Sequence, residues 1–150
     1  MGQAEQLDAA ISTLLRVLTI DERRLSTGLG TIPFNPLDLE TLSYLHRFPA
    51  SVAKDVAGHL GVSATTMQSV IDRLHKRGLV ARDALALRGR AVALTLTETG
   101  LNFRMQIHAQ NIENCYQMLQ HIAAGEQEAF VKNMATIADK YAEKKISNAG

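Results

Sequence analysis

A mainly α-helical chain with one small β-hairpin is the fold class that this 150-residue sequence predicts. Three observations predict it. Apolar residues recur at helical spacing in the opening, middle and closing stretches of the chain. One short run alternates instead, with Val92, Leu94 and Leu96 set against Ala93 and Thr95, the period of a half-buried strand. Glycine, proline and small polar residues stand where each periodic stretch starts or stops.

The opening segment places Leu7, Ile11, Leu14, Leu18 and Leu25 on one helical stripe, and Gly28, Gly30 and Pro33 then interrupt it. A second helix starts with Asn35 as N-cap, Pro36 at the first helical position and Asp38 near the positive helix end. Leu39, Leu42 and Leu45 face inward on it, and Phe48-Pro49 stops it. A third, short helix runs from about Val52 to Leu60, with Ser51 as its cap and Gly61 as the left-handed residue that ends it. Ser63 caps a fourth helix whose buried face is Met67, Val70, Ile71 and Leu74. Gly78 ends that helix and Leu79 folds back on it. The hairpin pairs Leu79 to Asp83 with Ala91 to Leu96, and Thr97 caps a long helix. There Leu101, Met105, His108, Ile112, Cys115, Leu119 and Ile122 alternate steps of four and three, a heptad seam that packs against other helices. Gly125 breaks it, and Phe130, Met134, Ile137 and Tyr141 share one face of a last helix.

Bulk properties narrow the function. With 46% hydrophobic and 21% charged residues, the chain reads as one folded soluble domain. No apolar run approaches the roughly 20 residues needed to cross a bilayer, so no membrane partner is expected. Acids and Gln precede any apolar stretch, so no secretory signal is expected either. The one cysteine, Cys115, excludes an internal disulfide and a multi-cysteine zinc site. A cytoplasmic location follows as an expectation. The net charge is only +1, but residues 63–92 alone carry +4, and the flanks are neutral or mildly acidic. Such a concentration is by itself more often a solvated surface than a binding site for a polyanion, and it gains meaning only beside a motif.

Ala53 to Asp72, which runs into that stretch, carries a helix-turn-helix pattern. Ala57 supplies the small residue needed where two helices cross, and Gly61 lies four positions later in the turn. Val56, Leu60, Val62, Met67 and Val70 pack around both. With the inner face of the fourth helix assigned, Ala64, Thr65, Gln68 and Ser69 are left on its outer face near the N-terminus. In DNA-reading helices that part meets base edges. Gln68 can pair with adenine, and Thr65 with base or phosphate. Arg73, Lys76 and Arg77, further along, suit phosphates. The hairpin tip, Ala84 to Arg90, sets Gly89 between Arg88 and Arg90 and suits a minor groove, whose negative potential attracts arginine.

On these residues the chain resembles the MarR family of winged helix-turn-helix transcriptional regulators. Ser63 to Gly78, with Ile71-Asp72-Arg73-Leu74 and Arg77-Gly78-Leu79-Val80, is in the family's style. So are Val80-Ala81-Arg82-Asp83, the hairpin tip, and Leu94-Thr95-Leu96-Thr97-Glu98-Thr99-Gly100. The resemblance implies one domain over 1–150, with a winged helix-turn-helix at 49–97 and dimerisation helices at 1–30 and 98–145. It implies a homodimeric regulator, mostly a repressor in this family, on pseudo-palindromic double-stranded DNA, released by a small aromatic or anionic effector or by cysteine oxidation. The DNA-facing set is Ser63, Ala64, Thr65, Thr66, Gln68, Ser69, Arg73 and Lys76 on the helix, with Arg88 and Arg90 on the wing. Two positions depart from the family. Arg88 stands where an Asp usually braces the wing arginine, here Arg90, and Ser69 stands where Arg is common.

Other features point less far. Cys115 occupies a seam position and reads as an inert buried hydrophobe rather than a redox sensor. His46, His59, His75, His108 and His121 form no pair at i, i+3 or i, i+4, so no metal site is expected. No residue motif specifies the effector, although Tyr44 and His46 lie on the helix that borders effector pockets in the family. No cofactor motif, phosphate loop, nucleophile motif or paired carboxylate site is present, and the chain does not read as an enzyme. The alternative to a DNA-binding regulator is a dimeric winged-helix interaction module with weak or no DNA binding.

Overall fold

The computed structural model describes residues 2–18, 36–83 and 91–149. Its elements are α1 (Gln3–Val17), α2 (Pro36–Arg47), α3 (Ala53–Leu60), α4 (Ala64–Lys76), β1 (Val80–Asp83), β2 (Ala93–Leu96), α5 (Glu98–Leu119) and α6 (Gln127–Ala149), with a 3-10 turn, Ala124–Glu126, before the last. The expectations at Leu25, Gly28, Gly30, Pro33 and the Asn35 cap lie outside the described residues, and so does the wing tip with Arg88 and Arg90. Among the described residues no helix is long and apolar enough to cross a membrane.

The core sits in the middle of the chain. Leu42 and Leu45 of α2, Val56 and Ala57 of α3, Met67, Val70, Ile71 and Leu74 of α4, and Phe103 and Ile107 of α5 form one buried cluster. Leu79, Val80 and Leu94 join it from the hairpin. The turns form for the reasons the sequence suggests. Gly61 ends α3 at φ 66°, in the left-handed region that a side chain rarely adopts, and the Val62 N–H bonds the Ala57 carbonyl at 3.1 Å. Gly78 does the same after α4 at φ 73°, and the Leu79 N–H reaches the Leu74 carbonyl at 3.0 Å. Thr97 then locks the base of the hairpin to α5. Its hydroxyl accepts from the Gly100 N–H at 2.9 Å and donates to the Gly78 carbonyl at 2.6 Å. Gly100 must lack a side chain, because a Cβ there would overlap the Leu79 carbonyl.

The hairpin is antiparallel, with Val80 opposite Leu96, Ala81 opposite Thr95, Arg82 opposite Leu94 and Asp83 opposite Ala93. Here the expected alternation fails in part. Val92 precedes the strand and is exposed, whereas Ala93 and Leu94 are both buried. The reason is a third backbone partner. The Leu94 N–H donates to the Ser51 carbonyl at 2.8 Å, so the corner between α2 and α3 closes over the strand's free edge. That bridge also corrects the expectation that Ser51 caps α3. The N-cap is Val52, with no side-chain bond, and the Ser51 hydroxyl donates back to the Phe48 carbonyl at 2.6 Å. Ala50, in the left-handed region at φ 62°, turns the chain so that Ser51 lies in the strand-like bridge, one residue too early to cap.

A second correction concerns α5. Its buried residues are Gly100, Phe103 and Ile107, not the heptad seam. Met105 is 56% exposed and Ile112 48% exposed. Cys115, expected to be buried, is exposed in the single chain. Helix α1 contains no buried residue, and Leu7, Ile11, Leu14 and Leu15 all face out. On α6 the same holds for Phe130, Met134, Ile137 and Tyr141. Among the described residues, nothing encloses these stripes.

Candidate nucleic-acid interface

Helix α4 owes its start to Ser63, whose hydroxyl accepts from the Thr66 N–H at 3.1 Å and donates to the Thr66 hydroxyl at 3.0 Å. This satisfies one of the orphan donors of the first turn and leaves the others pointing out at the positive end of the helix. With Met67, Val70, Ile71 and Leu74 turned into the core, Ala64, Thr65, Thr66, Gln68, Ser69, Asp72 and Lys76 remain exposed. Gln68, Asp72 and Lys76 follow one another at four-residue steps along a single outward stripe.

The outward groups are ordered by one another. The Gln68 amide donates to the Asp72 carboxylate at 2.9 Å. The same carboxylate oxygen accepts from the Arg82 guanidinium on β1, which ties the exposed face of α4 to the root of the wing. These bonds, the Arg82 one foremost, hold the Asp72 carboxyl below the usual carboxylate range. The Gln68 amide oxygen and its second amide hydrogen take no part in the bond to Asp72. Ser69, where the family often has Arg, donates its hydroxyl to the Thr65 carbonyl at 3.2 Å. Its side chain is spent within the helix, a common habit of serine at such positions.

Two cations expected at phosphates turn inward instead. The Arg73 Nε donates to the Asp38 carboxylate at 2.8 Å, and a second guanidinium nitrogen bonds its other oxygen. That hydrogen bonding raises the Arg73 pKa further above its ordinary value, against the opposing effect of burial. Arg77 lays its guanidinium over the Phe103 ring, 5.0 Å from the centroid. Lys76 alone of the three stands fully on the surface. Sequence reasoning missed Asp38, Asp72 and Arg82 as parts of this site. Asp38 looked like an ordinary acid in a first helical turn. The Gln68–Asp72 spacing of four was the one signal open to inspection.

Around the rest of the fold, Tyr44 packs between Phe48 and His59, each 4.9 Å away between ring centroids, while His46 is exposed. Between α5 and α2, the half-buried Arg104 donates from Nε to the Ser43 hydroxyl at 3.3 Å. Among the described residues no three of His, Cys, Asp or Glu converge as metal ligands.

Comparison with known proteins agrees with this geometry. Residues 32–91 match the model of the MarR family. The HTH-type transcriptional repressor Rv2887 of Mycobacterium tuberculosis is 28% identical over 131 residues, which cover 87% of this chain and 93% of that one. The regulator PcaV of Streptomyces coelicolor, solved with its natural ligand, superposes with a TM-score of 0.64 at 24% identity, covering 91% of this chain and 89% of PcaV. Streptococcus pneumoniae FabT, solved in complex with DNA, gives 0.68 at 18% identity, covering 94% and 95%. At these identities the two structures speak to the fold alone.

Proposed function

We propose that this chain is a DNA-binding transcriptional regulator of the MarR family, not an enzyme, and that it is a repressor gripping a pseudo-palindromic operator as a homodimer. The observation that carries the proposal is the ordered outward stripe of α4. Its N-terminal residues Thr65 and Gln68 are free of the core, and Gln68 is held in place by Asp72. A side chain already fixed loses less entropy on meeting a base edge. The proposed contacts are Ser63, Ala64, Thr65, Thr66, Gln68 and Ser69 in the major groove, Lys76 on the backbone, and Arg88 and Arg90 from the wing. Homodimerisation is supported by the uncovered apolar stripes of α1, α5 and α6, and Leu119→Asp is expected to impair it. A small aromatic or anionic effector is supported by Arg104, a half-buried cation where α5 meets α2.

The test is the affinity of wild-type, Gln68→Ala and Arg90→Ala protein for its own promoter fragment and for random duplex across a range of salt. Loss of Gln68 is expected to cost roughly 1–3 kcal/mol on the operator and little on random DNA. Loss of Arg90 should weaken both and lower the salt slope by about 1. An unchanged affinity ratio in Gln68→Ala removes that residue from base reading. Ser69, with its hydroxyl turned onto its own helix, favours the second reading, a dimeric interaction module. Absence of salt-dependent duplex binding by the wild-type protein would establish that alternative.

A further inference from the structure

Arg73 and Asp38 form a pair that neither the family match nor the DNA-facing pattern assigns. Asp38 lies in the first turn of α2 with its side chain 0% exposed, and Arg73 lies 35 residues on, in the third turn of α4, with its side chain 31% exposed. Both carboxylate oxygens are engaged by the one guanidinium. Such a planar fork fixes direction and roll together, which a single lysine-like contact does not. For Arg73 to reach a phosphate it would have to give up a two-pronged bond to a fully enclosed carboxylate, and withdrawing one partner from a buried ion pair is costly.

We propose that Arg73 is a positioning residue rather than a phosphate contact, and that with Asp38 it sets the roll of α4 against α2. The proposal rests on the DNA-reading role of α4. Helix α2 is a firm reference for that roll, because Leu42 and Leu45 share a core with Phe103 and Ile107 of α5. On α4, Arg73 stands beside Leu74 at the margin of the buried face, well placed to resist rotation about the helix axis. Rotation matters because neighbouring residues point about 100° apart on a helix, so a modest roll moves Thr65 and Gln68 off the base edges they would meet. Helix α2 is also bonded to α5 through Ser43 and Arg104.

The experiment measures operator and random-duplex affinity over a range of salt for wild-type, Asp38→Asn, Arg73→Gln and, as an exposed cation for comparison, Lys76→Gln. Asp38→Asn and Arg73→Gln are each expected to lower the operator-to-random ratio by about tenfold, as the loss of one good base contact would. Both should leave the salt slope on random duplex unchanged, whereas Lys76→Gln should lower it by about 1. A double variant, Asp38→Leu with Arg73→Met, replaces the pair by apolar side chains and is expected to recover the melting temperature without recovering the ratio. That outcome separates positioning from bulk stability. If Arg73→Gln lowers the salt slope by about 1 while Asp38→Asn leaves the ratio intact, Arg73 is a phosphate contact and the proposal is wrong. If the double variant regains the ratio with its stability, the pair is merely structural and the proposal is equally wrong. If wild-type protein itself shows no salt-dependent duplex binding, the DNA-binding reading falls first and this inference with it.

Discussion

Helices α4 and α6 carry apolar stripes of similar regularity, yet only one of them is buried. On α4, Met67, Val70, Ile71 and Leu74 all lie in the core. On α6, Phe130, Met134, Ile137 and Tyr141 run from 37% to 75% exposed. Helix α5 repeats the contrast within itself, since Phe103 and Ile107 are enclosed while Met105 and Ile112 are not. A periodic stripe reports that a helix has a partner. It does not report which chain supplies the partner. Exposed apolar area on three helices of one small protein is far more than scattered surface residues account for, and it marks an interface. The middle of the molecule thus encloses a core of its own, whereas among the described residues the apolar stripes of the two ends stay open, and the proposed homodimer would cover them.

Equivalent insults to the two regions should therefore fail differently. Phe103→Ala removes the largest fully buried side chain of the reading unit and is expected to cost about 3–5 kcal/mol, read as a fall in the denaturation midpoint. A loss below 1 kcal/mol would mean that α5 is not anchored there. Ile112→Asp, on the exposed seam of the same helix, should leave the chain folded by circular dichroism but raise the dimer dissociation constant about a hundredfold or more, because it buries a carboxylate in an apolar interface. Cys115 reports on the same event. Its thiol should react slowly with a bulky reagent in the wild-type dimer and quickly in Ile112→Asp.

Smaller effects sharpen the picture of the reading unit. Asp72→Asn should loosen the link between α4 and the wing root and reduce operator discrimination, with little change in melting temperature. The Arg82 guanidinium lowers the folded-state pKa of Asp72, so the contribution of this bond is complete above the unfolded value of about 3.9 and is lost as pH falls through the depressed one. No pH dependence from Asp72 is expected near neutrality, and a midpoint near pH 7 would need another group. The least of these changes, Ala50→Gly, relieves a left-handed backbone at φ 62° and should stabilise the fold by about 0.5–1 kcal/mol.

The same contrast explains what was legible in the sequence. Local chemistry was read correctly wherever the cause lay within a few residues: Pro36 at the start of α2, Ser63 and Thr97 as caps, Gly61 and Gly78 as left-handed ends, and the four inward residues of α4. The failures all involve a distant partner. Ser51 does not cap, because Leu94 claims its carbonyl for a bridge. The Arg73 guanidinium bonds Asp38, a partner far away in sequence. Phe103 and Ile107 share α5 with a longer heptad pattern, and that pattern masks the shorter stripe that the core encloses. The exposed face of α4 followed from helical spacing alone, whereas the Asp72–Arg82 link needed the hairpin register to bring it together.

The claim that the ends of this chain are covered by a second copy is tested most directly by sedimentation equilibrium of the wild-type protein at low micromolar concentration. A single species with the mass of two chains is the predicted result. A folded species with the mass of one chain, its α1, α5 and α6 stripes open to water, would contradict it.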